Sequence, residues 1–239
     1  MKKWTKIIIG TLIALFLVCG GGWLYLRSQV YQASRSAEVA SQSAVETQSG
    51  LDFLSKSEKG PAVIFYPGAL VSPASYSIWA RQVAAAGYSV HIVRFPLDLA
   101  VFAPNRASQV QLKSSPDYVI GGHSLGGVMA SRYARQHAQN LKGVFFLASY
   151  PDQKGRLDQT SLPVLSVTAS RDGVLNQKSY RHAKQFLPAK TEFTQIKGGN
   201  HAGFGSYGRQ KGDHTATISN QTQQKQIAQS LIHLLRQFN

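Results

Sequence analysis

The first signal in the hydrophobic pattern is an apolar run from Ile7 to Leu26 that carries no charge. Lys2, Lys3 and Lys6 precede it and Arg27 follows. A run of this length suffices to cross a bilayer as a helix. Basic residues at its start predict an N-terminus held in the cytoplasm and a remainder sent outside. A cleaved secretory signal is the competing reading. The run exceeds the usual length of a signal core, and no small-x-small site follows closely, so residues 1–27 are read as an uncleaved membrane anchor. Gly20-Gly21-Gly22 loosens the helix and keeps secretion after cleavage as the alternative. From Ser28 to Ser57 the chain is rich in Ser, Gln and Ala, with Leu51, Phe53 and Leu54 as its main apolar cluster. This predicts a tether over 28–57 that ends in a candidate edge strand.

From residue 58 to 239 the pattern changes to alternating strands and helices. Val63-Ile64-Phe65-Tyr66 is a short buried strand. Tyr76, Trp79, Ala80, Val83 and Ala84 recur at helical spacing, and Gly87 stops that helix. Tyr88 to Phe95 is the next strand, and a helix is expected within 98–113. Tyr118-Val119-Ile120 is a strand and Val128 to Gln136 a helix. Strands at 144–148 and 164–168 stand too close together to enclose a large lid. A helix near 177–186, a strand at 191–196 and a final amphipathic helix marked by Ile227, Leu231, Leu234, Leu235 and Phe238 complete the pattern. Alternation of this kind predicts an α/β fold, doubly wound, with a mostly parallel sheet and helices on both faces. Chemistry in such sheets gathers at the carboxyl ends of the strands.

Composition adds a strong positive charge. The 239 residues carry a formal net charge of +15. Only five basic and two acidic residues fall in the first fifty, so the surplus belongs mainly to the folded domain. Anionic surroundings such as lipid headgroups or wall polymers would suit this charge, and a basic, soluble surface with no specific partner is the equal alternative. No dense Lys/Arg run and no interleaving of basic with aromatic residues points to nucleic acid. Cys19 is the single cysteine, so no intrachain disulfide forms, and its place in the apolar run makes it an ordinary helix residue.

The chemistry centres on Gly122-His123-Ser124-Leu125-Gly126. This is Gly-x-Ser-x-Gly between a predicted strand and a predicted helix, the context of a nucleophile elbow. A serine hydroxyl there needs a base, an acid that orients the base, and an oxyanion hole. His201, in the loop Gly198-Gly199-Asn200-His201-Ala202-Gly203 after a predicted strand, is the expected base, with His214 in reserve. His182 and His233 fall on predicted helices and read as surface residues. Asp172 follows the 164–168 strand and is the expected acid; Asp152 follows the preceding strand and competes with it. Asp213 comes after His201 and reads as a structural or substrate-contact residue. The backbone N–H of Leu125 supplies one oxyanion donor. The second is expected from Pro67-Gly68-Ala69-Leu70, with Ala69 the choice because Gly68 permits the tight turn. His123 reads as a packing or hydrogen-bonding residue and His91 as a structural histidine.

These residues resemble the α/β-hydrolase superfamily. Three stretches carry a narrower likeness to compact lidless members: Tyr66-Pro67-Gly68-Ala69-Leu70-Val71, Gly121 to Gly127, and Gly198 to Asp213. The resemblance covers about residues 60–239. It implies Ser124, Asp172 and His201 as a triad, with Ala69 and Leu125 as the oxyanion hole. In size the chain is similar to dienelactone-hydrolase-like enzymes, but a serine replaces their cysteine. Pro67-Gly68 stands where many esterases carry His-Gly.

Together these readings predict a membrane-anchored extracytoplasmic serine hydrolase acting on small-molecule carboxylic esters, with no metal or organic cofactor. Acyl transfer to another hydroxyl shares the first half-reaction and remains open. A non-catalytic binding module on the same fold is the alternative of a different class.

Overall fold

A computed structural model describes residues 3–112 and 115–238. Lys2 of the basic leader, position 113 at the end of the expected 98–113 helix, and Asn239 lie outside the described residues. The chain divides into two compact units, one ending at Val30 and the other running from Tyr31 to Asn239. The first holds helix α1 (Lys3–Ser28). Its Ile7–Ser28 portion has a mean hydropathy of 2.3, and is long and apolar enough to cross a membrane.

The second unit is built on one eight-stranded sheet in the order β1-β2-β4-β3-β5-β6-β7-β8. The strands are β1 (Val45–Glu46), β2 (Gly50–Phe53), β3 (Ala62–Tyr66), β4 (Val90–Val93), β5 (Tyr118–His123), β6 (Leu141–Leu147), β7 (Val164–Ala169) and β8 (Glu192–Ile196). β3 to β8 are parallel, while β2 runs antiparallel to both β1 and β4. The helices are α2 (Arg35–Ser41), α3 (Ser77–Ala85), α4 (Leu125–Gln136), α5 (Gln177–Ala183) and α6 (Asn220–Leu235).

Every residue of β3, β5 and β7 is buried, because helices cover both faces of the sheet. The two-residue period then sorts side chains between two cores. Val63 and Phe65 join Trp79, Val83, Ile227 and Leu231 in one core, beneath α3 and α6. Ile64 and Tyr66 join Met129, Ala130 and Tyr133 in the other, beneath α4. A register slip of one residue would exchange the two sets.

Two segments differ from the sequence pattern. Residues 31–53, expected to be mostly tether, belong to the second unit. The Ser34 hydroxyl caps α2 by accepting from the Ala37 N–H at 3.3 Å, and Ala37 and Ala40 are buried. Small buried residues leave no hydrophobic periodicity to read. β2 then pairs along β4, where Asp52 and His91 form a buried pair at 2.8 Å. The second difference lies in 98–113, where no α-helix forms among the described residues. Short 3-10 turns occupy Pro96–Asp98, Ala100–Phe102 and Arg106–Gln109. Leu97 and Asp98 have φ of 55° and 53°, and Pro104 interrupts the remainder, so a helix cannot propagate. Tyr66 fastens this stretch by donating to the Pro104 carbonyl at 2.7 Å and accepting from the Ala107 N–H at 2.9 Å.

Phe65 lies at the centre of the first core, with ring centroids of Tyr76, Trp79 and Phe145 at 4.7, 4.9 and 6.2 Å. Phe65→Ala is expected to lower unfolding stability by about 3–5 kcal/mol in urea titrations. The exposed Phe102→Ala should stay within about 0.5 kcal/mol of the parent.

Candidate active site

Ser124 joins β5 to α4 with φ 51° and ψ −125°. A non-glycine residue in that region costs roughly 1–3 kcal/mol and persists only where its surroundings hold it. The holding contacts are backbone approaches that only glycine permits. A Cβ on Gly122 would lie 2.5 Å from the Gly126 carbonyl carbon and 2.6 Å from the Gly127 nitrogen. A Cβ on Gly126 would overlap the carbonyl oxygens of Tyr66 and Pro67. Ser124 donates its N–H to the Leu147 carbonyl at 3.0 Å. The Ser149 hydroxyl donates to the Ser124 carbonyl at 2.6 Å and braces the turn from β6's far end.

Residues 67–70 leave the carboxyl end of β3 beside this elbow. Gly68 donates its N–H to the Tyr76 hydroxyl at 2.9 Å, and Leu70 donates to the Asp98 carbonyl at 2.9 Å. Pro67 has no N–H. Ala69 is therefore the one residue of Pro67–Leu70 whose amide is not engaged, among the described residues. Leu125, in the first turn of α4, likewise has a free N–H.

Asp172 and His201 meet as a buried pair from the ends of β7 and β8. His201 Nδ1 donates to Asp172 Oδ2 at 2.9 Å. Oδ1 of Asp172 accepts the N–H groups of Val174 and Leu175 at 2.9 and 2.8 Å. With Nδ1 donating, the neutral imidazole presents Nε2 as a lone pair. Nε2 is buried and makes no hydrogen bond, so none joins it to Ser124 in this structure. The two residues are linked through His123, whose ring packs on that of His201 at 4.5 Å between centroids.

The His201 loop is held by side chains rather than by regular structure. Asp213 accepts the N–H of Ala202 through Oδ2 and of Gly173 through Oδ1, tying the His201 loop to the Asp172 loop. Gln223 makes two hydrogen bonds to the backbone of Asn200, and Gln224 donates to the Gly203 and Gly205 carbonyls. Asn200 Oδ1 accepts from the Gly203 N–H. Nothing in the linear pattern marks Ser149, Tyr76, Gln223 or Gln224 for these roles. Adjacent glutamines on a helix look like solvent residues until the loop is laid over them.

The competing residues have other duties. Asp152 caps the 153–155 turn and pairs with Arg132, whose Nε lies 3.0 Å from Oδ2. Burial pushes the Asp152 carboxyl up, but the Arg132 and backbone N–H groups outweigh it and hold it below the usual carboxylate range. His214 is exposed, as are His182 and His233.

His123 is fully buried, and that burial, followed by the neighbouring His201, pushes its imidazole well below the ordinary value. A histidine that stays neutral when folded but charges when unfolded gives stability that is present above about pH 6.5 and lost as pH falls below it. Its contribution to the slope approaches about 1.4 kcal/mol per pH unit. Chemical denaturation between pH 7.5 and 5 should show this slope flattened in His123→Asn relative to the parent.

Comparisons with known proteins agree with the fold. Residues 62–225 match the sequence profile of the Alpha/beta hydrolase family. A comparison with curated proteins found no match. Among solved structures, the chain is similar to an alpha/beta hydrolase enzyme, MGS-MChE2, from a sediment metagenome of the lagoon of Mar Chica, Morocco. That likeness has a TM-score of 0.60 and 14% identity, over 81% of this chain and 97% of the other. Dienelactone hydrolase from Anabaena variabilis matches with a TM-score of 0.55 and 13% identity, over 81% and 96% of the two chains. The esterase domain of a Rhodothermus marinus protein matches with a TM-score of 0.57 and 14% identity, over 79% and 92%. At such identities the likeness is one of fold. With the profile match covering most of the second unit, and with strand order and elbow both in place, the chain belongs to the alpha/beta hydrolase family.

Proposed function

We propose that this protein is a membrane-anchored serine hydrolase of carboxylic esters, with Ser124, His201 and Asp172 as its triad and the amides of Ala69 and Leu125 as its oxyanion hole. The observation that carries the reading is the buried Asp172–His201 bond of 2.9 Å, which leaves Nε2 unpaired beside the residue preceding Ser124. Catalytic hydrogen bonds are commonly loose before substrate arrives, so an open Ser124–His201 contact is compatible with the role.

In this mechanism Ser124 Oγ attacks the ester carbonyl carbon while its proton passes to His201 Nε2. Negative charge develops on the carbonyl oxygen and is met by the two free N–H groups. Asp172 stays ionised and offsets the imidazolium charge. Collapse of the tetrahedral intermediate breaks the bond to the alcohol, which takes its proton from Nε2. The acyl-Ser124 ester is then attacked by water, which gives a proton to Nε2. The carboxylic acid leaves and Ser124 Oγ recovers the proton.

Placement outside the cytoplasm is part of the proposal. It rests on the basic residues before the apolar span, together with the length and hydropathy of α1. The surplus of basic residues suits anionic lipid or wall-polymer surroundings.

A fluorophosphonate probe should label the wild type and fail to label Ser124→Ala. Asp172→Asn should lower turnover of an activated ester by on the order of 10³–10⁴-fold with the fold intact. Asp152→Asn should change turnover by less than about threefold, and a larger loss there would move the acid role away from Asp172. The full chain should remain with membranes through a high-salt wash; recovery as a shortened soluble chain would replace the anchor by a cleaved signal.

A further inference from the structure

We infer that Tyr76 and His123 are positioning residues that decide which amide of the Pro67–Leu70 loop is presented to the oxyanion. The inference rests on the Ser124 hydrolase reading and extends it to a buried relay outside the triad.

The relay can be followed atom by atom. The Gly68 N–H donates to the Tyr76 hydroxyl at 2.9 Å. That hydroxyl lies 3.0 Å from His123 Nδ1. Tyr76 is fully buried, and burial pushes its phenol far above the ordinary value, so it keeps its proton. Among the described residues His123 Nδ1 is the one acceptor within reach of this buried phenol hydrogen; were Nδ1 the donor instead, that hydrogen would be left unpaired, so it goes to Nδ1. Nδ1 is then an acceptor, and the single proton of this neutral ring resides on Nε2, which is buried and makes no hydrogen bond. The direction of every bond from Gly68 to His123 is thereby fixed.

The loop is built to rest on this relay. A Cβ on Gly68 would stand 2.8 Å from His123 Nδ1 and 3.2 Å from the Tyr76 hydroxyl, so no larger residue fits without displacing it. His123 is in turn clasped between the rings of His201 and Phe204, with centroids at 4.5 and 5.7 Å. One end of the relay thus holds the oxyanion loop and the other packs on the base. With the Gly68 amide consumed here and the Leu70 amide consumed by Asp98, Ala69 alone is left free to face the developing charge. Neutrality of His123 has a second consequence. No additional positive charge sits against His201 when it becomes protonated during the reaction.

The test compares Tyr76→Phe, His123→Gln and His123→Asn on two probes. One is p-nitrophenyl butyrate, for kcat and KM. The other is a trifluoromethyl ketone, whose adduct with Ser124 places an oxyanion in the hole. Tyr76→Phe removes the acceptor for Gly68. Gln in place of His123 offers no acceptor near Nδ1, whereas the Asn oxygen stands close to that position. Tyr76→Phe and His123→Gln should each lower kcat and ketone affinity together by roughly tenfold, with KM within about twofold. The Tyr76→Phe/His123→Gln double variant should be no worse than either single, and His123→Asn should recover most of the loss. Unchanged kcat and ketone affinity in a folded Tyr76→Phe would overturn the inference. So would His123→Asn as impaired as His123→Gln, or losses that multiply in the double variant. If Tyr76→Phe does not fold, the Asn and Gln pair decides. Hydrogen exchange at the Gly68 amide separates the two levels of the argument. If Gly68 exchanges faster in Tyr76→Phe while the wild type neither labels at Ser124 nor turns over ester, the Gly68–Tyr76 bond stands but the hydrolase reading fails, and the positioning role with it.

Discussion

The approach of two backbones at Gly126 sets the rest of the site. Gly126, the second residue of α4, presses on the carbonyls of Tyr66 and Pro67 at the end of β3. No side chain fits between them, so the Ser124 turn and the Pro67–Leu70 loop are held at a fixed separation. The same contact keeps Ser124 in a backbone region it would not choose alone. Strain at one residue is offset by packing on both sides of it. Ser149 adds a hydrogen bond to the Ser124 carbonyl, so the turn is also held from β6.

The His201 loop is ordered by a different means. Between Ile196 and α6 the described chain has only one short 3-10 turn, Ala202–Phe204, yet Gly198, Gly199 and the run His201–Tyr207 are buried. Buried backbone groups must find partners. Here Asp213, Gln223, Gln224 and Asn200 provide them. Asp213 also reaches Gly173, one residue beyond Asp172, so the Asp172 and His201 loops are tied together.

The N-terminal segment of the second unit joins the same edge. Tyr31 donates its N–H to the Leu70 carbonyl at 2.7 Å and accepts from the Ser72 N–H at 3.0 Å. Ser34 bonds the Ser206 hydroxyl at 2.7 Å, and the rings of Tyr31 and Tyr207 stand 5.4 Å apart. Residues rich in serine and alanine thus strap the Pro67–Leu70 loop to the loop that follows His201. Their composition looked like that of a linker because they bury main chain and small side chains rather than large apolar ones.

Local chemistry is legible in one dimension, and here it was sufficient for the alternating strands and helices, the elbow and the apolar span. Gly-x-Ser-x-Gly between an apolar triplet and a helical pattern already implies a tight turn, since only small residues survive there. The order Ser124, Asp172, His201 along the chain likewise follows from which loops leave the carboxyl ends of strands. What the sequence could not decide were contacts between residues far apart in the chain. Whether Asp152 or Asp172 meets His201 depends on Arg132, which takes up Asp152 from twenty residues away. The choice of Ala69 over its neighbours depends on Tyr76 and Asp98 consuming the other amides. Pro104 already argued against the helix expected at 98–113, but the particular turns that replace it are fastened by Tyr66, which is remote in the chain. Backbone hydrogen bonds are satisfied by whichever partner the fold brings near, and that proximity is a property of the packed chain alone.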